Sequence, residues 1–470
     1  MKRNVFLRMI VLCICLSMSL SLFGCSNGGK NNGGEQTKNE EAAEQQSDGN
    51  KKKEITIIVD DQISDLTGMN KFEYERQKEF EKQYPWIKVK HIAPIVVEID
   101  KGVASLITVL MSKDGPSLFK VSAINWARDL DNAGLIGYWD DFVKDWTDYS
   151  DIYDNIKTAY MNNHNHIIGF SPSNEIPLLG FNKDMLVAKG IDPDTLQIKT
   201  WDEYRDICKK LNDEAKGVKG SSLLLTEFFL WFNNWNVANG AKMAITDPEN
   251  GKMTLNFTEQ NTIETINFFR KLYHEDKSVQ DNLSIGLTDL LAQIWQNKLA
   301  SFTFYPTWAA WFAGSGMPAT KIKLMAFPEG PSGKGSNPLF PQCYVINGKK
   351  SKEEQAAAAE YIKFLYGIEG TKARLQFAKD NNILFVQIPV FKSLDWTQYA
   401  VGIPSDWVQA TQDALTRGMI SDLGSNAFTN YVVNILPKLV SEPNIEIEAE
   451  LARAQKLAEN EWLNLYNEDK

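Results

Sequence analysis

The sequence has 470 residues, a formal net charge of −10 and a pI of about 5.2. This acidic balance argues against nucleic acid or an anionic membrane surface as the main partner. By the prior of about 100–200 residues per domain, a chain of this length holds two or three domains.

The chain begins with a cationic start followed by an apolar run from Met9 to Phe23. A membrane-spanning helix needs about 20 apolar residues, and this run is shorter. A cationic start followed by a short apolar run predicts a secretory signal over residues 1–24. Leu22-Phe23-Gly24-Cys25 resembles a bacterial lipobox, which implies that Cys25 is acylated and becomes the mature N-terminus. The alternative is an uncleaved anchor helix, which leaves the remaining chain on the same outer face of a membrane.

Residues 25–53 are predicted to be a lipid-anchored flexible linker. Ser26 to Lys53 has two alanines and no larger apolar side chain, so this segment cannot bury enough surface to offset its ordering entropy. As a polar coil it spans roughly 30 Å. Removal of the signal takes away three positive charges and no negative ones, which lowers the net charge from −10 to −13.

The first folded elements predict a parallel sheet. The β-branched run from Glu54 to Asp60 predicts a buried strand. An amphipathic stretch over about 70–84 predicts a helix that Pro85 ends, and Ile87 to Ala93 predicts a second strand. Strand, helix and strand in this order are typical of a βαβ unit.

Later elements continue this alternation. A strand is expected at Leu118–Val121 and a helix over about 126–133. Thr200 and Glu203 form a predicted capping box at the start of another helix. The same device at Ser351 and Glu354 predicts an alanine-rich helix to about residue 366, and a long helix is expected over about 447–466. The fold class is therefore α/β with mixed sheets.

Six phrases, in the same order, resemble those of the extracellular solute-binding proteins of ABC importers, in the carbohydrate-binding branch that includes the maltose-binding proteins. The phrases are NAGLIGYWDDF from Asn132, IGFSPSNEIPLLGFNKDML from Ile168, TWDEYRDICKKL from Thr200, ENGKMTLNFTEQNTIETINFFRKLYHE from Glu249, IWQNKLASFTFYPTW from Ile294 and INGKKSKEEQAAAAEYIKFL from Ile346. The likeness covers nearly all of residues 54 to about 389. Two positions depart from the pattern: Ser117 replaces a common acidic residue, and Thr307 replaces a glycine.

The resemblance implies a two-lobed periplasmic-binding-protein-like fold, with a hinge of crossing strands and a central ligand cleft. The family's chain path implies one lobe from 54–170 plus 322–383 and a second from 171–321 plus 384–470. The first crossing is expected near 169–178, the second near 323–327 and the third near 383–389.

The implied function is capture and delivery, without catalysis. The protein is expected to hold a carbohydrate, in particular an oligosaccharide, and to pass it to the permease subunits of an ABC transporter. It is expected to work as a monomer, lipid-anchored at the outer face of a Gram-positive-type cell membrane. No cofactor or metal and no nucleic acid partner is expected.

A sugar site needs aromatic plates for the C–H faces of the ring and planar polar groups for its hydroxyl rim, within a largely apolar pocket. The family's tryptophan at the position of Trp308 stacks on a sugar face, which makes Trp308 the first candidate. Trp311 lies three positions on, on a neighbouring part of the same helical face, and Tyr305 is a further candidate. Phe302 and Phe304 are expected in the core because alternate residues of a buried strand point inward.

Other candidates come from elsewhere in the chain. The maltose-binding proteins place a carboxylate in the cleft at the position of Glu175, with a hinge salt bridge as the alternative role. Asn125 and Trp126 follow a strand of the first lobe, where that family has polar and aromatic contacts. Asp60 follows the first strand, where open α/β sheets bind ligands. The second lobe offers two aromatic candidates, Trp231 and Trp235.

Several catalytic and metal patterns are absent from the sequence. No P-loop, GxGxxG, GxSxG or HExxH motif occurs, and the histidines at 164 and 166 have no carboxylate or cysteine clustered with them. Cys208 and Cys343 are expected to be two buried thiols, with a disulfide as the alternative. Two alternative functions stay open: a binding protein of the same fold for a peptide or a polyamine, and a surface carbohydrate-active enzyme.

Overall fold

The computed structural model describes residues 52–61, 66–93, 104–121, 124–162, 164–247, 252–333, 337–341, 343–384, 388–400, 402–420 and 428–468. Residues 1–51, which include the predicted signal peptide and Cys25, lie outside these ranges. Among the helices within them, none combines the length and the apolarity that a membrane span requires.

Strands are numbered in chain order. They are β1 (Ile55–Val59), β2 (Ile87–His91), β3 (Leu118–Val121), β4 (Ile136–Gly137), β5 (Asn174–Glu175), β6 (Leu178–Asn182), β7 (Ala244–Thr246), β8 (Met253–Leu255), β9 (Ser301–Phe304), β10 (Ile322–Met325), β11 (Asn337–Pro341), β12 (Cys343–Asn347) and β13 (Gly418–Ile420).

Helices are numbered in the same way. They are α1 (Gly68–Gln83), α2 (Ala104–Met111), α3 (Ile124–Asn132), α4 (Asp140–Val143), α5 (Thr147–Asp151), α6 (Asp154–Ala159), α7 (Lys183–Ala188), α8 (Trp201–Leu211), α9 (Asn233–Ala238), α10 (Gln260–Arg270), α11 (Leu287–Trp295), α12 (Ala309–Gly314), α13 (Lys352–Tyr366), α14 (Ile368–Asp380), α15 (Ser405–Thr416), α16 (Thr429–Val433), α17 (Leu436–Ser441), α18 (Ile447–Ala458) and α19 (Asn464–Glu468).

The first lobe is built on a sheet with the strand order β2-β1-β3-β12-β4. β1 runs parallel to both β2 and β3, which confirms the predicted βαβ unit. The alanine-rich α13 packs on this sheet through small side chains, and Phe80 of α1 lies edge-on to Tyr361 with ring centroids 5.0 Å apart. Cys343 on β12 and Cys208 on α8 are buried free thiols, as expected.

One of the two predicted capping boxes forms completely. Thr200 accepts a hydrogen bond from the N–H of Glu203, and the Glu203 carboxylate accepts one from the N–H of Thr200. Ser351 likewise caps α13 by accepting from the N–H of Glu354. The Glu354 carboxylate, however, accepts a hydrogen bond from the hydroxyl of Ser117, so the expected reciprocal half is replaced by a contact to the sheet.

The second lobe is built on a sheet in which β6 is central and antiparallel to β9 and β10. All five residues of β6 are buried. The pairing of β10 with β6 corrects one expected boundary: residue 322 still lies in the second lobe, and the chain returns to the first lobe only before β12. β7 and β8 pair as antiparallel strands.

The hinge contains the sheet β13-β11-β5. Phe170 pairs with Tyr344 of the first sheet, and Leu178 pairs with Phe304 of the second, so the chain crosses between the lobes over residues 171–177.

The last crossing falls later than expected. Tyr153 donates from its N–H to the carbonyl of Val390 at 3.1 Å, and Lys392 donates from its N–H to the carbonyl of Asp151 at 2.9 Å. Residues 390–392 therefore lie on the first lobe. The second lobe resumes with α15, where the indole N–H of Trp407 donates to the carbonyl of Ile322.

Candidate functional site

Glu175 lies on β5 at the hinge, next to the turn that follows β9. Thr307, in the 3₁₀ turn Pro306–Trp308, donates a 2.8 Å hydrogen bond from its hydroxyl to Oε2 of Glu175. Burial raises the pKa of Glu175, while this hydrogen bond and the positive charge of Lys120 oppose that shift. Glu175 is half-buried and Thr307 is exposed, so polar atoms at this point remain accessible to a solute.

Lys120 is the exposed residue of β3, whose other three side chains are buried. Its ammonium nitrogen lies 6.0 Å from the ring centroid of Tyr344. Desolvation lowers the pKa of Lys120, and the negative charges of Asp61 and Glu175 oppose the shift. The positive charge of Lys120 interacts with the negative charges of Asp61, in the first lobe, and of Glu175, at the hinge.

Asp60 occupies the carboxyl end of β1, where the sequence predicted a polar contact. The residue is 7% exposed, and its Oδ1 accepts a 3.1 Å hydrogen bond from the N–H of Lys120. Desolvation raises the pKa of Asp60 to about 7, with a further contribution from the negative charge of Asp61. Asp60 thus holds the backbone of the Lys120 strand, and the exposed Asp61 offers its own side chain to solvent.

The aromatic candidates of the 305–311 window become more exposed along the chain. Tyr305 is 4% exposed, Trp308 is half-buried and Trp311 is 48% exposed. The ring centroids of Tyr305 and Trp308 are 4.8 Å apart, and Trp308 stacks at 6.2 Å and 15° on the buried Phe312. Trp308 therefore rests on the core through one part of its indole and remains accessible through another.

The strand before this window is core, as predicted. Phe302 is 1% exposed and Phe304 is fully buried. Phe304 also contacts Phe312, with ring centroids 4.9 Å apart and an interplanar angle of 87°. The cluster in the sequence is therefore mixed, with the phenylalanines supporting the more exposed tryptophans.

Trp231 and Trp235 are buried in the protein core, where they cannot contact a ligand. Trp231 is fully buried, and its indole N–H donates to the carbonyl of Ser222 at 3.2 Å. Trp235 is 2% exposed and packs against Phe268 and Phe327, both with ring centroids 5.1 Å away. In this structure both indoles fill the core of the molecule, which corrects the expectation that one of them faces the cleft.

Helix α3 carries the two remaining candidates. Trp126 is half-buried and packs against the core of the first lobe. The side chain of Asn125 and residues 122–123 before it lie outside the described part of the chain. Both residues therefore stay predictions.

Two residues of this region were missed as candidates in the sequence. Lys120 had a usable signal, since a lysine in the otherwise apolar strand LFKV marks the face that is open to solvent. Thr307 was noted only as a departure from the family's glycine. Its hydroxyl now has a defined role, because it binds the carboxylate of Glu175.

A cavity of about 10 Å³ lies within the first lobe, where Asp61, Glu73 and Tyr344 are among the residues that line it. This volume is at the lower limit for a single water molecule. The cavity is too small for a solute, so the candidate site is the surface bordered by Lys120, Glu175 and the 305–311 window.

The family model for the bacterial extracellular solute-binding proteins matches residues 64–372. Among solved structures, the chain is similar to the ABC substrate-binding protein Lmo0181 from Listeria monocytogenes in complex with cycloalternan. The identity is 17%, the match covers 87% of this chain and 99% of that chain, and the TM-score is 0.67.

Two further structures show the same likeness. Maltose-bound MalE3 from T. maritima is 17% identical, with 87% of this chain and 99% of that chain covered and a TM-score of 0.66. UgpB from Mycobacterium tuberculosis in complex with glycerophosphocholine is 20% identical, with 88% and 98% covered and a TM-score of 0.66. No curated protein sequence matches the chain.

These structures share the fold that the sequence predicted, a mixed α/β architecture of two lobes joined by a hinge. The family model spans 309 of the 470 residues, from the first helix to α14. The chain therefore belongs to the bacterial extracellular solute-binding proteins.

Proposed function

We propose that this protein is the ligand-capturing component of an ABC importer and that its ligand is a carbohydrate, specifically an oligosaccharide. One observation carries the proposal: the half-buried indole of Trp308 is adjacent in the chain to Thr307, whose hydroxyl is bonded to the Glu175 carboxylate. An aromatic plate beside planar hydrogen-bonding groups is the combination that a pyranose ring requires.

Each group has a role in this proposal. Trp308 lies against a C–H face of the ring. Glu175 and Thr307 bind hydroxyl groups at its edge, and Lys120 and Asp61 supply a donor and an acceptor from the first lobe. A solute that touches both lobes favours the closed state, because part of its contacts exists only there. The permease then recognises the closed protein.

Calorimetric titration of the mature protein with a sugar panel tests this function. The panel contains the mono- to pentasaccharide series of glucose in α-1,4 and β-1,4 linkage, xylose in β-1,4 linkage and mannose in β-1,4 linkage. We expect at least one series to bind, and Trp308→Ala to weaken that binding by about 2 kcal/mol or more, the threshold of a hot spot. Tyr74→Ala, which removes an aromatic side chain that is 39% exposed on α1, is the matched control and should leave binding unchanged.

A second candidate ligand class is a cationic solute such as a polyamine. The Glu175 carboxylate is bonded to Thr307, the residue beside the accessible indole of Trp308, and such a site also attracts cations. Spermidine and glycerophosphocholine therefore belong in the same titrations. Binding of either one without binding of any sugar would replace the carbohydrate proposal with this one, while new reducing ends in a glycan incubated with the protein would indicate an enzyme.

We also propose that the protein is a lipid-anchored monomer at the outer face of the cell membrane, with Cys25 as the acylated residue. The support is the lipobox-like sequence at 22–25 and the polar linker that follows it. Growth of the expressing cells with a labelled fatty acid should label the protein, and Cys25→Ser should abolish the label and shift the protein to the soluble fraction. Retention of the Cys25→Ser protein in the membrane fraction would contradict this assignment.

A further inference from the structure

An aromatic shelf extends beyond Trp308. It consists of Trp308, Trp311 and Trp295, the last residue of α11. The indole of Trp311 meets that of Trp295 edge to face, with ring centroids 5.3 Å apart at 74°, and meets that of Trp308 at 6.0 Å and 76°. Three indoles thus form one continuous aromatic surface from two helices and a turn.

Phe312 holds the shelf in place from below. This side chain is fully buried, and its ring centroid lies 5.8 Å from that of Trp295 and 6.2 Å from that of Trp308. Because all three indoles contact this one core residue, their relative positions are set by packing. A shelf fixed in this way needs little ordering when a flat solute binds to it.

The shelf is accessible to solvent, most of all at Trp311. Exposure increases from Tyr305 through Trp308 to Trp311, which is 48% exposed. Its neighbours Ala310 and Ala313 are exposed and small, so they leave the indole uncovered. The segment from Ser301 to Gly316 contains no charged residue, and therefore no lysine or arginine stem of its own covers the apolar surface.

The shelf also has a polar feature. The indole nitrogen of Trp295 is buried and has no hydrogen-bond partner within the described residues. A buried indole N–H usually finds an acceptor. Because this nitrogen is enclosed by protein, a solute on the shelf contacts the indole rings and not this nitrogen.

From these observations we infer that Trp311 and Trp295 form an outer subsite that binds a further sugar ring of an oligosaccharide whose inner ring lies on Trp308. The inference rests on the carbohydrate-binding function proposed above and makes Trp311 the residue that reads the length of the chain. A ligand with a single ring reaches Trp308 alone. A longer linear ligand gains contact area with each ring that reaches the outer subsite.

The test measures affinity against ligand length in the sugar series that binds best to the full mature protein. Trp311→Ala should weaken binding of the tri- to pentasaccharides by about tenfold and change the affinity of the shortest ligand less than twofold. Trp308→Ala should weaken binding at every length. Trp311→Phe, which retains a ring, should restore most of the length dependence, and Trp311→Gln provides a second deletion of the ring if the alanine variant folds poorly.

The outcomes separate the two proposals. If no sugar series binds, the carbohydrate function fails and the subsite fails with it. If sugars bind but Trp311→Ala affects all lengths equally, or none, the outer subsite alone is overturned. A change in the monomer–dimer equilibrium of Trp311→Ala without any change in sugar affinity would instead assign the shelf to a second copy of the chain and would also overturn the subsite.

Discussion

The hydroxyl of Thr307 donates a 2.8 Å hydrogen bond to the carboxylate of Glu175, and this bond joins the turn after β9 in the second lobe to the hinge strand β5. It is a contact between two segments that are 132 positions apart in the chain. Because this hydrogen bond holds the turn that carries Trp308 against the hinge, the protonation state of Glu175 should affect the position of that turn.

Loss of the Thr307 hydroxyl should therefore make ligand binding more sensitive to acid. The hydrogen bond opposes the upward shift that burial imposes on the pKa of Glu175. Thr307→Val removes the bond at nearly constant volume, so the pKa of Glu175 should rise further and the carboxylate should be lost at a higher pH. Titration of the best sugar ligand at several pH values should show the variant weakening relative to wild type as the pH falls.

Thr307→Ser is the control for this prediction, since it keeps the hydroxyl. Its affinity should follow the wild-type pH dependence. Parallel pH profiles for Thr307→Val and wild type would show that Glu175 does not contribute a charged acceptor to the ligand.

Asp60 should make the protein less stable as the pH rises. Its pKa is about 7 in the folded protein, because burial disfavours the carboxylate, and 3.8 without that environment. The folded state thus binds more protons than the unfolded state between these values. The stabilisation is complete below pH 3.8 and is lost as the pH rises through 7, a change of about 4 kcal/mol at most.

Asp60→Asn should remove this part of the pH dependence. The amide oxygen can still accept the N–H of Lys120, and no charge is buried at high pH. Urea unfolding should show the variant to be more stable than wild type at pH 8, with the difference shrinking towards pH 4. Asp202→Asn, which changes a side chain that is 90% exposed, controls for net charge. An equal free energy of unfolding for Asp60→Asn and wild type at pH 8 would contradict the assigned burial.

The sequence predicted the sheet and helix order well because local signals determined it. The β-branched run at 55–59, the proline at 85 and the capping residue Thr200 each act within a few residues. The domain boundaries were less accurate, since β10 and residues 390–392 are assigned to a lobe by partners far along the chain.

In the candidate site too, some features were predicted from the sequence and others depend on contacts between distant parts of the chain. Trp308 and Glu175 came from the resemblance, and the bond that links them through Thr307 depends on the fold. Trp231 and Trp235 failed as candidates because a run rich in aromatic residues gives no periodic signal for which ring faces solvent. Their burial is decided by contacts with distant partners such as Phe327.

The ion pair between Glu73 and Arg374 should be essential to the stability of the first lobe. The side chain of Arg374 is 8% exposed, and its guanidinium carbon lies 4.5 Å from the ring centroid of Tyr366. Glu73→Gln removes the compensating charge and leaves the arginine buried without it. The expected loss is about 3–5 kcal/mol in the free energy of unfolding.

An ion pair on the same helix whose carboxylate is exposed provides the comparison. Glu79, whose side chain is 59% exposed, pairs with Arg76, and Glu79→Gln should cost less than about 1 kcal/mol. The double variant Glu73→Leu/Arg374→Met should recover much of the stability lost in Glu73→Gln, because no unpaired charge remains. Similar losses for Glu73→Gln and Glu79→Gln in urea unfolding would exclude a special role for the buried pair.

Gly169 lies so close to β12 that any side chain at this position should destabilise the protein. Phe170 donates from its N–H to the carbonyl of Tyr344 at 3.0 Å and accepts from the N–H of Tyr344 at 2.8 Å, which holds the segment against the strand. A methyl group at residue 169 would overlap Sγ of Cys343, which is fully buried. Gly169→Ala should therefore destabilise the protein by about 1–3 kcal/mol, the usual cost of overpacking.

Removal of the opposing sulfur tests whether this overlap is the cause. The double variant Gly169→Ala/Cys343→Ala should be more stable than the sum of the two single changes predicts, since the new methyl group fills the space that the sulfur leaves. Gly314→Ala, at a helical position with no atom within 4 Å of an added methyl group, should leave the protein as stable or slightly more stable. Strict additivity of the two changes, measured by urea unfolding, would locate the cost of Gly169→Ala in the backbone and not in the contact with Cys343.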